Sequence, residues 1–152
     1  MNSSTSDVIR KQVRLNASRS RVWRAISDAR EFGEWFLLKL DGEFREGETI
    51  RGAVTAEGYE HLKFEAVVEK MEPERLFSMR WVPHAMDPEK DYSGEPTTLV
   101  EFVLEDVVGG TLLTLTESGF DGIPEEVRGE SFLRNEEGWG IQMVHIRRYV
   151  DG

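Results

Sequence analysis

The sequence predicts an α+β domain in which an antiparallel sheet of about six to seven strands packs against one long C-terminal helix. Two short helices are expected after the first strand. From Leu37 onward, apolar and polar residues alternate for about eighty residues, as in strands that bury one face. In residues 132–150 the apolar residues instead recur at steps of three, four or seven, as on one side of a helix. Short turn sequences between the strand segments favour pairing between neighbours.

The first elements are predicted by local patterns. Residues 8–15 alternate as in a half-buried strand, and residues 1–7 are expected to be a flexible tail. Ser18 can cap a helix through residue 29, and a second short helix or turn follows with Phe32, Trp35 and Phe36. No linker or repeat divides the remainder, so residues 8–152 are expected to form a single domain.

The sheet is expected to be a series of hairpins. The interval 83–96 contains three prolines and one glycine, which indicates a mobile loop between two strands. The final helix is predicted over 132–150 and is expected to be regular from Gly138, because Gly138 and Gly140 favour either a bend or a close approach to the sheet. The predicted strand segments are 37–44, 49–58, 61–71, 76–82, 98–106 and 111–120.

Composition excludes several classes of function. The 152 residues include no cysteine, which rules out disulfides, a thiolate nucleophile and cysteine-ligated metals. The net charge is −10 with scattered basic residues, so nucleic acid and anionic membranes would repel the chain. The three histidines are far apart, and we expect neither a metal nor a cofactor. With no secretory signal and no spanning apolar run in the sequence, we expect a cytoplasmic protein.

Four stretches of the chain resemble the SRPBCC superfamily, which shares the helix-grip fold of START domains and birch-pollen allergens. They are residues 13–36, 67–81 and 98–120, and the Gly138-Trp139 pair. Within the superfamily, the chain is most similar to the family named for the activator of heat-shock-protein-90 ATPase homologue. The resemblance implies a sheet wrapped around the C-terminal helix. It also implies ligand binding, co-chaperone work or a stress or regulatory role, because members of the family have been credited with each.

Glu117 is the most informative polar residue. Alternation places it on the same face as Leu113 and Leu115, so its carboxylate should point toward the helix and be buried. Many relatives in the resembled family carry histidine at this position, and others carry glutamate. Two interpretations remain open: an ion pair with an arginine or a bond to backbone near the last helix, or a polar anchor for a ligand.

A heavy aromatic load on the same predicted face indicates a cavity between the sheet and the helix. Trp35, Phe120 and Trp139 lie near the ends of elements and are expected at its mouth, whereas His84 is expected to be solvated in its loop. The predicted ligand-binding residues are Trp35, Phe64, Trp81, Phe102, Glu117, Phe120, Trp139 and Met143.

The sequence therefore predicts non-catalytic binding of a small, largely apolar molecule. Two alternatives come from other classes of protein. One is a protein-interaction module with a chaperone-like partner, as the family name implies. The other is an enzyme like the cyclase and aromatase relatives on this fold, with Glu117 and perhaps His84 as acid and base.

Overall fold

The computed structural model describes residues 7–151, so all but the last residue of the predicted tail, as well as Gly152, lie outside the described residues. Asp7 is bonded to the fold, since its carboxylate accepts a hydrogen bond from the backbone N–H of Asp121 at 2.9 Å. The strands are β1 (Val8–Leu15), β2 (Leu38–Leu40), β3 (Thr49–Val54), β4 (Lys63–Glu72), β5 (Leu76–Trp81), β6 (Thr98–Val107) and β7 (Gly110–Ser118). The α-helices are α1 (Arg19–Ser27), α2 (Ala29–Phe36) and α3 (Glu125–Asp151).

The seven strands form one sheet in the order β1-β7-β6-β5-β4-β3-β2. Each pair of neighbours is antiparallel. All consecutive strands pair except β1 and β2, between which α1 and α2 are inserted, and β1 returns to the sheet beside β7. This is the predicted α+β helix-grip fold, with two short helices after the first strand and a long helix at the C-terminus.

Side-chain capping separates the two short helices. The Ser18 hydroxyl accepts a hydrogen bond from Arg21 N at 3.2 Å, as the sequence predicts. Asp28 ends α1 and also begins α2, because its carboxylate accepts a hydrogen bond from Glu31 N at 3.0 Å. The change of direction at this shared residue turns the apolar residues of both helices toward the sheet.

The long helix begins earlier than the sequence predicts. It runs without interruption through 27 residues from Glu125, immediately after Pro124, so the expected loss of regularity before Gly138 is wrong. A Cβ atom built on Gly138 or Gly140 would meet nothing within 4 Å. The two glycines therefore lie on an open side of the helix and do not mark a close approach to the sheet.

Two strands are shorter than predicted. The segment 37–44 forms a strand only over Leu38–Leu40, because Leu37 adopts a left-handed conformation and the chain turns away after Leu40. Phe44 is nevertheless buried, which explains why its segment has the apolar pattern of a strand. Similarly, β3 ends at Val54, and residues 55–62 form turns.

The core lies between the apolar face of the sheet and the three helices. The inward residues of β6 and β7 are almost fully buried, and α3 contributes Phe132, Trp139, Met143 and Ile146 to the same core. Trp35 is fixed by a hydrogen bond from its indole Nε1 to Ala25 O at 2.8 Å. This packing places the middle of α3 over the ends of β5, β6 and β7, where the candidate site is found.

Candidate functional site

Glu117 is fully buried and is surrounded by neutral hydrogen-bond donors. Its Oε2 accepts from Thr98 Oγ1 at 2.6 Å and from Trp81 Nε1 at 2.7 Å. Its Oε1 accepts from Trp139 Nε1 at 2.8 Å, and Asn135 Nδ2 lies 3.1 Å from both oxygens. An ionised carboxylate can only accept hydrogen bonds, so this set of donors matches it on all sides.

Strand register and helix periodicity bring these donors together. Trp81 on β5 is directly opposite Thr98 on β6, and Val100, two residues along the same face, is opposite Glu117 on β7. Three adjacent strands therefore present Trp81, Thr98 and Glu117 on one face. Asn135 and Trp139 are four residues apart on α3 and so lie one turn apart on the side that faces the carboxylate.

The predicted partners of Glu117 are wrong. The sequence favoured an arginine or a backbone group, and the structure provides four neutral side chains among the described residues. Hydrogen bonds to a charged acceptor are stronger than neutral ones, which makes several of them able to hold a buried carboxylate without a cation. None of the four donors titrates near neutral pH, so the site contains no acid–base partner for Glu117 among residues 7–151.

Aromatic rings fill the space between the sheet and the helix beside this carboxylate. The rings of Trp81 and Trp139 are stacked, with centroids 5.7 Å apart and planes at 18°. Phe36 contacts both tryptophans edge-on, and the ring centroids of Phe102 and Trp139 are 5.8 Å apart. The predicted wall residues here form a packed cluster in which the indole nitrogens of Trp81 and Trp139 are bonded to Glu117.

A cleft of about 410 Å³ opens on the other side of this cluster. It lies between β4, β5 and the loop of residues 82–97, and it reaches Asn135 on α3. Charged side chains lie around it, namely Lys63, Glu65, Arg80, Asp87, Lys90 and Asp91. Its apolar lining includes Leu62, Phe64, Ala66, Trp81, Val82, Pro83, Ala85 and Met86.

The structure divides the eight predicted site residues into three groups. Phe64 and Trp81 line the cleft, and Glu117 lies behind its wall, hydrogen-bonded to Trp81. The remaining five are at most 6 % exposed and pack in the core away from the cleft lining, so Trp35, Phe120 and Trp139 do not form its mouth. These five are Trp35, Phe102, Phe120, Trp139 and Met143.

The loop that covers the cleft is attached at several points. Arg134 on α3 donates to Pro83 O at 3.0 Å, and His84 Nε2 lies 3.0 Å from Glu95 Oε1. The His84 side chain is only 7 % exposed and contacts Tyr92 edge-on, so the expectation of a solvated histidine is wrong. The structure pairs His84 with Glu95, and no hydrogen bond in the described chain joins it to Glu117.

Sequence reasoning missed three parts of this site. Asn135 could have been found from its spacing of four residues before Trp139, and Thr98 from its place two residues before inward-facing Val100. The third part is the lining from the 82–97 loop, for which the sequence offers no periodic pattern. Its position depends on tertiary contacts such as those of Arg134 and His84.

A second buried carboxylate, Glu31, lies where the three helices meet. It is 5 % exposed and accepts hydrogen bonds from Arg21 at 2.8 Å, Arg24 at 2.9 Å and the Tyr149 hydroxyl at 3.0 Å. Burial acts to raise the pKa of Glu31, but the hydrogen bonds and the charge of Arg21 outweigh it and hold the pKa below its ordinary value. Burial, together with the Glu31 carboxylate, raises the pKa of Tyr149.

Residues 7–151 contain no group of three or more histidine, aspartate or glutamate side chains placed to hold a metal ion. No helix in the same range is long and apolar enough to cross a bilayer.

The sheet order and the long C-terminal helix form a helix-grip domain, and the match to a family model identifies it as one of the SRPBCC class. The model of one family in this class, the Activator of Hsp90 ATPase homolog 1-like proteins, matches residues 16–151. Because the match covers most of the chain, the protein belongs to this family. No curated protein matches the sequence significantly.

Solved structures share the fold at low sequence identity. Protein MLL2253 from Mesorhizobium loti has a TM-score of 0.74 and 19 % identity, over 95 % of this chain and 96 % of that one. The Aha1 dimer from Colwellia psychrerythraea has a TM-score of 0.69 and 16 % identity, over 95 % and 96 %. DynU16, from the dynemicin biosynthetic locus, has a TM-score of 0.71 and 23 % identity. The match covers 94 % of this chain but only 46 % of the DynU16 chain. At such identities the likeness shows the fold alone.

Proposed function

We propose that the protein binds a small, largely apolar molecule in the cleft between β4, β5 and the 82–97 loop, without catalysing a reaction on it. The observation that carries the proposal is a cleft of about 410 Å³ with an inner wall formed by Trp81 and Asn135. The buried Glu117 carboxylate holds both residues in place. Ligand sites commonly occupy about 300–1,000 Å³ and combine an apolar lining with a few fixed polar groups. Both properties are present here.

The role of Glu117 in this proposal is to fix the wall. Its hydrogen bonds hold the Trp81 indole and the Asn135 amide, both of which line the cleft, in one orientation. A wall that is ordered before the ligand arrives reduces the entropy lost on binding. A catalytic role is not proposed, because both carboxylate oxygens are occupied by donors that do not titrate.

The comparisons support a ligand-binding role in general form. The helix-grip fold of the family is compatible with binding, and DynU16 belongs to a biosynthetic locus, where small molecules are made. The five predicted residues that pack in the core include Trp139, which would contribute to the site by stacking on Trp81 and donating to Glu117. They would not contact the ligand.

The test is a titration of the ¹⁵N-labelled protein with 2-methoxynaphthalene and 2-naphthol, two aromatic probes small enough for the cleft. We expect binding tighter than about 1 mM, with shifts of backbone amides in β4, β5 and the loop. Met86→Glu, at a 40 % exposed residue of the lining, should weaken binding at least tenfold. The matched control is Val144→Glu, at a 37 % exposed residue of α3, which should change it less than twofold.

If neither probe binds, or if Val144→Glu weakens binding as much as Met86→Glu does, the proposal fails. The interaction-module alternative would then gain support. Its candidate surface is the outward side of α3, where Leu133, Ile141 and Val144 are exposed.

A further inference from the structure

The inner wall of the cleft, formed by Trp81 and Asn135, donates hydrogen bonds to a carboxylate that lies behind it. Trp81 Nε1 donates to Glu117 Oε2, and Asn135 Nδ2 donates to both Glu117 oxygens. Glu117 itself is fully buried and does not line the cleft. The indole N–H of Trp81 and one N–H of the Asn135 amide are therefore bonded to the carboxylate behind the wall.

The orientation of the Asn135 amide follows from the chemistry of its partner. A carboxylate has no hydrogen to donate, so the amide NH₂ must face it. The flipped amide would place Asn135 Oδ1 about 3 Å from two carboxylate oxygens, three acceptors with no hydrogen between them, which is repulsive. Glu117 thus fixes which end of the amide faces the cleft.

The remaining polar atom of Asn135 is its carbonyl oxygen. Asn135 lines the cleft with its NH₂ turned to Glu117, so Oδ1 is the atom left for a bound molecule. In residues 7–151 it accepts no hydrogen bond from the protein, and it is not among the fully buried unpartnered atoms. Thr97, which also lines the cleft, can donate or accept by rotating its hydroxyl and so does not select between ligands.

We infer that the cleft selects apolar molecules that carry a hydroxyl or N–H donor at their inner end, with Asn135 Oδ1 as the acceptor and Glu117 as the residue that positions it. This inference rests on the proposed function and adds the chemical class of the ligand. A phenol or alcohol satisfies the carbonyl oxygen on entry. An ether or ketone of the same shape removes water from that oxygen and offers no hydrogen bond in return.

The experiment compares the same two probes, 2-naphthol and 2-methoxynaphthalene, which differ in whether the oxygen carries a hydrogen. One net hydrogen bond corresponds to about tenfold in affinity, so 2-naphthol should bind about tenfold more tightly to the wild-type protein. In Asn135→Leu the ratio of the two dissociation constants should fall below about threefold. In Glu117→Gln it should also fall, because an amide partner lets Asn135 flip and present its NH₂.

A second measurement uses only the wild-type protein and does not depend on how the variants fold. The Asn135 side-chain carbonyl ¹³C resonance should move on binding 2-naphthol and move much less on binding 2-methoxynaphthalene at equal saturation. The Asn135 N–H proton that points at Glu117 should stay protected from exchange with solvent throughout, because it remains hydrogen-bonded to the carboxylate.

The outcomes separate this inference from the proposed function. If both probes shift cleft amides and bind with equal affinity, the selection for a donor is overturned while binding in the cleft stands. If 2-naphthol is preferred but the preference is unchanged in Asn135→Leu, Asn135 is not the acceptor and the inference is likewise overturned. If neither probe binds, the proposed function fails first.

Discussion

Glu31 and Glu117 are both buried carboxylates, yet their surroundings are opposite in kind. Glu31 is neutralised by two arginines and receives a tyrosine hydroxyl, whereas Glu117 receives five hydrogen bonds from four neutral side chains. The partners of Glu31 reach solvent, since Arg24 is 61 % exposed. Thr98 and Trp139, which hold Glu117, are almost fully buried.

The difference separates a structural contact from a positioning one. The ion pairs of Glu31 with Arg21 and Arg24, together with the Tyr149 hydrogen bond, join α1, α2 and α3 and so serve the assembly of the helices. A carboxylate held only by neutral donors orders each donor in turn, and two of these donors line the cleft. Removing the Glu31 carboxylate should loosen a junction between helices. Removing the Glu117 carboxylate should disorder a wall of the proposed binding site.

The largest effect is expected for Glu117→Ala. Thr98 and Trp139 would lose their acceptor where water cannot replace it, and each unsatisfied buried donor costs about 1–3 kcal/mol. We expect the free energy of unfolding to fall by roughly 3–5 kcal/mol, measured by urea denaturation monitored by tryptophan fluorescence.

Glu117→Leu tests the same contrast from the other side. Replacing a buried charge by an apolar group of similar size is sometimes neutral or stabilising, when the cost of burying the charge exceeds its bonds. Unchanged or increased stability in Glu117→Leu would show that the carboxylate is a net cost to the fold. The view that its hydrogen bonds hold this part of the core together would then be wrong.

A smaller effect is expected for Glu31→Gln. The variant loses two charged hydrogen bonds, but Arg21 and Arg24 can turn to solvent, so we expect a loss of about 1–2 kcal/mol at pH 7. Glu34→Gln, in an exposed pair with Arg30 on the same helix, is the matched control and should cost less than about 0.5 kcal/mol.

The pH dependence of Glu31→Gln has a definite sign. Because the folded protein holds the pKa of Glu31 below its ordinary value of 4.5, this group adds stability above that value. The contribution is lost as the pH falls through the lower pKa of the folded state. The difference in stability between wild type and Glu31→Gln should therefore shrink below about pH 4.5, and a difference that grows on acidification would contradict the ion-pair account.

The sequence predicts that Glu117 is buried, but it does not predict which side chains bond to its carboxylate. Alternation predicts that Glu117 lies on the inward face, and the steps of three, four or seven in residues 132–150 predict the final helix. The partners of Glu117 come from three other segments, whose approach depends on the register of two strand pairs and the rotation of α3. A one-residue change in either would bring different side chains to the carboxylate.

The cleft shows the limit of periodicity more clearly. The aromatic residues on the inward face indicated a cavity between sheet and helix, but large rings can fill the space that they surround. The cleft instead depends on the loop of residues 82–97, whose course is set by contacts such as Arg134 to Pro83 O. Contacts of this kind leave no repeated pattern in the sequence.

Tyr149→Phe removes one hydrogen bond from Glu31 and leaves its arginines in place. We expect a loss of about 0.5–1.5 kcal/mol at pH 7. Because the folded state raises the pKa of Tyr149, the stability from this group is present below its ordinary value of 10.0 and is lost as the pH rises through the raised pKa. The melting temperature should thus fall more steeply between about pH 8 and 11 for wild type than for Tyr149→Phe. The control is Tyr59→Phe, at an exposed tyrosine, whose melting temperature should follow that of wild type.

The smallest effect is expected in the part of α3 between Trp139, which contacts Glu117, and Tyr149, which contacts Glu31. Gly140→Ala adds a Cβ that meets nothing within 4 Å, and alanine favours a helix over glycine by about 1 kcal/mol. We expect a gain of roughly 0.5–1 kcal/mol in the free energy of unfolding, measured by urea denaturation. Gly33→Ala is the contrasting control, since its Cβ would lie 2.3 Å from Leu38 O and must destabilise the junction of α2 and β2.

A loss of stability in Gly140→Ala would mean that α3 needs a bend there to contact Glu117 and Glu31 at once. A gain would provide a stabilised background in which the Glu117 variants remain folded for binding measurements.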